Sequence, residues 1–331
     1  MKFIMSWLIV STIFTIHVNG HDLEKTVFPK LSGPYLGQES PGKTAKIFAP
    51  GVISTELHDD ASPAFNEDGT EVFFRIVFKS KGISYGKIFT SKLMDGLWSK
   101  PVIAPFCDKR MWGRVNFAPD GQRLYTSVNT AKGAGFDMDP VYVDLVDGRW
   151  EDAVVIKDLR TSNHEFGMFE TRDSQVHWTS EDALDGSIKR HYTTQITGKG
   201  FSEIEEVHTF PEGAIIDCFA PDGSYAIFSK NVAPRDRDLF VSFREISGEW
   251  SDPVNLGPSV NSERFEKSAA ISMDGKYLFF VSNRRGEQAQ PKRLWDSELF
   301  TELQRIWRCD VYWVETTVID DLKREYWAGN K

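Results

Sequence analysis

The sequence predicts an all-β fold, a five-bladed β-propeller of four-stranded antiparallel blades, and three observations lead there. First, a phrase recurs at almost constant spacing: Phe65-Asn66-Glu67-Asp68-Gly69, Phe117-Ala118-Pro119-Asp120-Gly121, Phe219-Ala220-Pro221-Asp222-Gly223 and Ile271-Ser272-Met273-Asp274-Gly275. A divergent copy, Phe169-Glu170-Thr171-Arg172-Asp173-Ser174, fills the gap, so the Asp positions 68, 120, 173, 222 and 274 are 52, 53, 49 and 52 residues apart. Self-similarity at this period is the signature of radially repeated blades. Second, each phrase precedes short runs rich in β-branched and aromatic residues, bounded by Gly, Asp and Ser, such as Tyr225-Ala226-Ile227-Phe228-Ser229. Such runs read as strands and hairpins. Third, the last unit lacks a fourth strand, and Ala45-Lys46-Ile47-Phe48-Ala49-Pro50 near the other end resembles the fourth strand of the first unit, Pro101-Val102-Ile103-Ala104-Pro105.

Element by element, the innermost strand of each blade runs into the phrase. The Asp-Gly pair makes the tight turn to the second strand, because Gly tolerates φ > 0 and Asp bonds its own backbone two residues on. A variable loop leads to the third strand, and a Gly-x-Trp turn (Gly96-Leu97-Trp98, Gly148-Arg149-Trp150, Gly248-Glu249-Trp250) leads to the fourth. The recurrent Trp is expected to pack between blades. The blades run over about 55–106, 107–160, 161–210, 211–260 and 261–315, with 45–54 as the closing strand that removes the last open edge. Residues 21–44, rich in Pro and Gly, read as an extended segment. The spacing of Val318, Ile319, Leu322 and Tyr326 predicts a short helix in the C-terminal piece, 316–331.

Composition narrows the class. With 40% hydrophobic and 13% aromatic residues, the 331-residue chain can bury a substantial core. Met1-Lys2 precedes an apolar run from Phe3 to Ile16 and then Val18-Asn19-Gly20, the pattern of a signal peptide cleaved after Gly20. The run falls short of the roughly 18 residues of a membrane span, so the expectation is a periplasmic or secreted protein with no integral membrane segment. The net charge of −9 argues against nucleic acid as a partner. Cys107, Cys218 and Cys309 are odd in number and lie in different repeats, which reads as buried thiols, a single disulfide being the alternative.

The phrases, together with Ser282-Asn283-Arg284-Arg285-Gly286 and Asn255-Leu256-Gly257-Pro258-Ser259-Val260-Asn261, resemble the TolB-type, WD40-like β-propeller repeat family of exported bacterial proteins, over about residues 45–325. The third unit departs from the pattern, with Asp173-Ser174 in place of Asp-Gly, and the fifth carries a long insertion. The resemblance implies an exported protein with a binding or scaffolding role, and it carries over no catalytic residues.

Loops at the end of the propeller opposite the Asp-Gly turns gather charge, and rigid scaffolds carry binding residues on such loops. The ligand-binding candidates there are Asp60, Arg114, Glu165, Asp217, Glu266 and Arg284. Asp217 interrupts the apolar run Ile215-Ile216-Asp217-Cys218-Phe219, and a buried carboxylate must find donors or shift its pKa. The alternative is a rim whose charges pair with one another. The expected function is a binding or scaffold module for an unidentified protein or glycan, acting as a monomer without cofactor or metal. The alternative is a carbohydrate-directed hydrolase using the channel-mouth carboxylates, which needs two or three of them converging within about 5–10 Å. His58-Asp59-Asp60 lacks a paired metal-ligand spacing. In the insertion 284–309, Leu299, Leu303, Ile306 and Trp307 suggest a helix over about 296–307, read either as a lid or docking element or as packing on the blade.

Overall fold

The computed structural model describes residues 28–329 except 56–58, 61, 81–82, 134, 187, 209, 212–213, 234–235, 286–292 and 296–308. The expected signal segment and the expected insertion helix lie outside the described residues.

Five antiparallel sheets surround one axis. Strand β1 (Lys46–Ile47) belongs to the last of them. Blade one holds β2 (Asp59–Asp60) and β3 (Ala64–Phe65), both paired with β4 (Glu71–Ser80), then β5 (Ile83–Met94), β6 (Leu97–Trp98) and β7 (Val102–Ile103). Blade two holds β8 (Asn116–Phe117), β9 (Arg123–Asn129), β10 (Met138–Val146), β11 (Arg149–Trp150) and β12 (Val154–Val155). Blade three holds β13 (His164–Glu170), β14 (Gln175–Glu181), β15 (Lys189–Thr197), β16 (Gly200–Phe201) and β17 (Glu205–Glu206). Blade four is β18 (Ile215–Phe219), β19 (Tyr225–Ala233), β20 (Asp236–Phe243) and β21 (Val254–Asn255). Blade five is β22 (Glu266–Ile271), β23 (Tyr277–Ser282) and β24 (Asp310–Glu315), completed by β1. The outer strand of the first three blades is thus interrupted, two short pieces pairing with one third strand.

The ring closes as the sequence implies. Lys46 opposes Trp313 and Ile47 opposes Tyr312, so the N-terminal strand covers the edge of blade five. Helix α1 (Thr317–Gly329) follows at once, burying Val318 and Ile319 and setting Tyr326 beside Phe243. Segment 28–44 does more than extend. A 3-10 turn at Tyr35–Gly37 drives the Tyr35 ring to 4.9 Å from both Phe65 of blade one and Tyr277 of blade five. Gly33 O accepts from Trp98 Nε1 at 2.7 Å, and Glu315 N donates to Gly42 O at 2.9 Å. The segment is a clasp over the seam where the ring closes.

The core lies in the seams between blades. Phe48, Phe65, Phe279 and Trp313 fill the closing seam, and Phe48 lies 4.9 Å from Trp313. Trp150 of the second Gly-x-Trp turn sits 5.5 Å from Phe73 of blade one, an inter-blade position. From the fifth-blade insertion, Trp295 is fully buried against Phe89 at 5.3 Å and donates Nε1–H to Val52 O at 2.8 Å.

The phrase turns obey their expected chemistry. Asp120, Asp222 and Asp274 each accept, through Oδ1, the backbone N–H two residues on. Gly69 needs its hydrogen twice, for φ +64 and because a Cβ would come within 2.8 Å of the Tyr35 ring. In the divergent third unit Ser174 adopts φ 61, the conformation that Gly supplies elsewhere. A left-handed conformation costs a residue with a Cβ about 1–2 kcal/mol, and Gly loses about 0.5–1 kcal/mol in unfolded-chain entropy. Ser174→Gly should therefore stabilise the fold by roughly 0.5 kcal/mol, read as a melting temperature higher by about 1–2 °C; a lower one would contradict the turn assignment.

Candidate functional site

Each innermost strand delivers the same repeat positions to the axis. Six residues before the phrase Asp stand Ser62, Arg114, Gly167, Ile216 and Ser268. Three of the strands kink next to this level: β13 between Phe166 and Phe169, β18 between Ile216 and Cys218, and β22 between Lys267 and Ala270. Such a bulge leaves one residue unpaired and re-aims its side chain. In β18 that residue is Asp217, which explains a carboxylate inside an apolar strand.

Asp217 is 4% exposed, and Arg114 comes to meet it from blade two. The Arg114 guanidinium lies 3.8 Å from Asp217 Oδ1, donates to Asp217 O at 2.5 Å and to Ala269 O of blade five at 3.2 Å, and sits 5.4 Å from the Phe169 ring of blade three. One side chain of blade two therefore touches three other blades across the axis. Beside it, Ser62 Oγ donates to Ser268 O. Burial pushes the Asp217 carboxyl above the ordinary range, and the Arg114 charge pulls the other way. Ser229 and the Ser268 amide also lower it, yet neither reaches hydrogen-bond geometry at Oδ2.

Eight residues before the phrase Asp stand Asp60, Trp112, Glu165, Ala214 and Glu266. The three carboxylates thus occupy one repeat position, and both glutamates are fully buried. Glu266 is saturated. It accepts from Ser262 N (3.1 Å), Ser262 Oγ (2.7 Å), Ser282 Oγ (2.6 Å) and Arg284 Nη2 (3.2 Å). Arg284 is itself held by Val260 O and the Tyr312 ring, 4.6 Å away. Glu165 has the same hydroxyl partners, Thr161 and Ser180. It lacks the arginine, because Asp182 stands two residues after Ser180 where Arg284 stands two after Ser282. Its Oε2 has no partner among the described residues. Burial raises the Glu165 carboxyl to about 7, the Thr161 bonds lower it, and the charges of Asp139 and Asp137 raise it further. Arg160, the nearby cation, is engaged by those two aspartates at 2.8 and 3.1 Å. The description of Asp60 stops at its backbone, which pairs with Ile76.

Of the six candidates, then, the structure brings together Arg114 with Asp217 and Glu266 with Arg284, and leaves Glu165 in a separate seam. All five described side chains are engaged in or between blades. Among the described residues no three His, Cys, Asp or Glu side chains are arranged to hold a metal. Cys107 and Cys218 are free thiols, and burial pushes Cys107 up to about 11, away from thiolate chemistry.

The axial cavity lies on the other side of Arg114, toward the Asp-Gly turns. It measures about 60 Å³, takes residues from all five blades, and is walled by Phe65, Phe117, Pro119, Phe219, Pro221 and Ile271 among others. A groove of about 270 Å³ shares Arg172, Pro221 and Met273 with it and runs past Asp222 and Asp274 to Asp320 and Lys323 of α1. This cavity lies toward the end of the propeller opposite the six candidates, and the sequence marks it. The signal was the third phrase: Glu170 stands where the other units have Phe or Ile, and Arg172 where they have Glu67, Pro119, Pro221 and Met273.

No family model matches the chain, and no curated protein does. Solved structures similar to it include TolB from Acinetobacter baumannii (14% identity, TM-score 0.45, 68% of this chain and 49% of that one). Others are a GH62 hydrolase in complex with xylotriose (12%, 0.48, 82% and 98%) and an α-L-arabinofuranosidase from Podospora anserina in complex with cellotriose (12%, 0.44, 86% and 96%). The chain spans about half the length of the Acinetobacter protein. At these identities the similarity concerns the fold alone.

The Glu165 seam makes a pH prediction. Its carboxyl is raised in the folded chain relative to about 4.5 unfolded, so the folded form binds the proton more tightly. Stability from this group therefore falls as pH rises from about 4.5 to 7, and the loss is complete above 7. A shift of this size corresponds to about 3 kcal/mol. Glu165→Gln should raise stability by about 2 kcal/mol at pH 8 and leave it nearly unchanged at pH 4, measured by urea unfolding; equal effects at both pH values would contradict the assignment.

Proposed function

We propose that this protein is an exported β-propeller binding module that receives its ligand in the axial cavity and groove beside the Asp-Gly turns. The observation that carries this reading is the cavity itself, to which every blade contributes a wall, whereas Glu165, Asp217 and Glu266 are buried and bonded within or between blades. Loops and strand ends held by a rigid ring are pre-organised for recognition, and apolar pockets with few polar groups are the usual form of a ligand site. The apolar run from Phe3 to Ile16 supports export, and among the described residues no helix is long and apolar enough to cross a membrane.

In this reading Arg114, Glu165, Asp217, Glu266 and Arg284 are scaffold residues. A buried ion pair is weak evidence of stability but fixes geometry when its remaining groups are bonded. Glu266 is fully buried, with three donors on Oε1 and one on Oε2, and so lacks the open side that general acid or base work requires.

The test is a binding and turnover screen of the purified protein against oligosaccharides and peptides, repeated with Met273→Trp, which fills the cavity rim, and with Glu165→Gln. Binding should fall at least tenfold in Met273→Trp and persist in Glu165→Gln. Turnover of an oligosaccharide that disappears in Glu165→Gln would instead establish the hydrolase reading.

A further inference from the structure

We infer that the axial cavity and Arg172 together form a receptor for an apolar carboxylate, a branched aliphatic group entering the cavity while its carboxylate meets the Arg172 guanidinium. This rests on the binding-module reading above and names the chemistry of its ligand.

The first support is the position of Arg172. Its backbone N–H donates to Pro221 O at 3.0 Å, so the residue is pinned across the seam to blade four. Its side chain reaches blade five, where Nη2 is 3.5 Å from Met273 O. The arginine therefore stands over the cavity that Pro221 and Met273 help to line. A full charge on a long bond to a neutral carbonyl is readily exchanged. A carboxylate offers guanidinium two parallel charge-assisted bonds, roughly twice as strong as neutral ones.

The second support is the missing counter-ion. Arginines near the same turns are paired, Arg123 with Asp144 at 2.6 Å and Arg244 with Asp173 at 3.4 Å. Arg172 is exposed and forms no ion pair among the described residues, in a chain whose net charge is −9. Lys323, farther along the groove, likewise has no ion pair among them.

The third support is the lining. Its two polar side chains other than Arg172 are already engaged: Asn116 Nδ2 donates to Met168 O at 2.9 Å, and Glu170 accepts from Tyr125 OH at 2.7 Å. The rest is Phe, Pro, Ala, Ile, Cys and Met, so the inserted part must be apolar. Each water needs roughly 10–15 Å³ of such space. The 60 Å³ present thus admits about four to six heavy atoms, enough for an isobutyl group. Asp222, Asp274 and Asp320 line the outer groove, so the ligand's negative charge belongs at Arg172 and not beyond it.

Two sources share this chemistry, a free branched-chain acid and the C-terminus of a peptide ending in Leu. Binding of 4-methylpentanoate and of N-acetyl-Ala-Ala-Leu is measured by titration calorimetry against their amides, on the full chain and on Arg172→Gln and Arg172→Lys. The expected result is at least tenfold tighter binding of the carboxylates, abolished in Arg172→Gln and partly kept in Arg172→Lys, with unchanged melting temperatures. The tighter of the two carboxylates identifies the source. Equal binding of acids and amides would overturn the anion clamp and leave the cavity reading standing. Binding by none of the four would overturn both.

Discussion

A ring of five sheets has to be held at its centre, where the innermost strands converge and leave little room. In this chain the contact that does so is the guanidinium of Arg114 against Asp217, with the carbonyls of Asp217 and Ala269 and the ring of Phe169 around it. Coulomb attraction in a water-poor site is strong, and an unpaired buried charge is correspondingly costly. The pair is therefore bound to its geometry. It joins four blades and divides the axis into an upper part, with bonded carboxylates, and a lower part that contains the cavity.

The seams apply the same rule with different success. Glu266 and Glu165 are the same position of the repeat, with the same hydroxyl partners, and differ in one cation. Where Arg284 is present the carboxylate accepts four bonds. Where Asp182 stands instead, one oxygen is left without a partner and burial drives the group toward its protonated form. The closing seam uses another device, the Tyr35 clasp, to hold a ring whose ends are joined only by hydrogen bonds and packing.

Much of the fold was legible in the sequence because it is periodic. The phrase period counts blades, the Asp-Gly pairs announce turns by their φ requirement, and the missing fourth strand points to its replacement at residues 45–51. The clasp was not legible, because Tyr35 and Leu36 take φ values that their residue types disfavour, and only the finished seam compensates for that. The candidate site was less legible still. Whether a carboxylate points to the axis or into a seam depends on strand register and on the bulges, and neither can be read from spacing. The sequence offered charges pairing with one another as the alternative, of which Arg114 with Asp217 is an instance. The irregularity that marks the cavity is visible in the third phrase, where Glu170 and Arg172 change the chemistry of two positions that line it.

Arg114 crosses the axis between blades, and an apolar cavity lined by all five blades lies on the side of the Asp-Gly turns. Xenon enters dry apolar cavities and avoids polar ones. With ¹³C-methyl-labelled methionine, the account predicts that xenon pressure shifts the Met273 methyl resonance and leaves Met94, on the outer part of blade one, unchanged. A Met273 resonance indifferent to xenon would contradict the account.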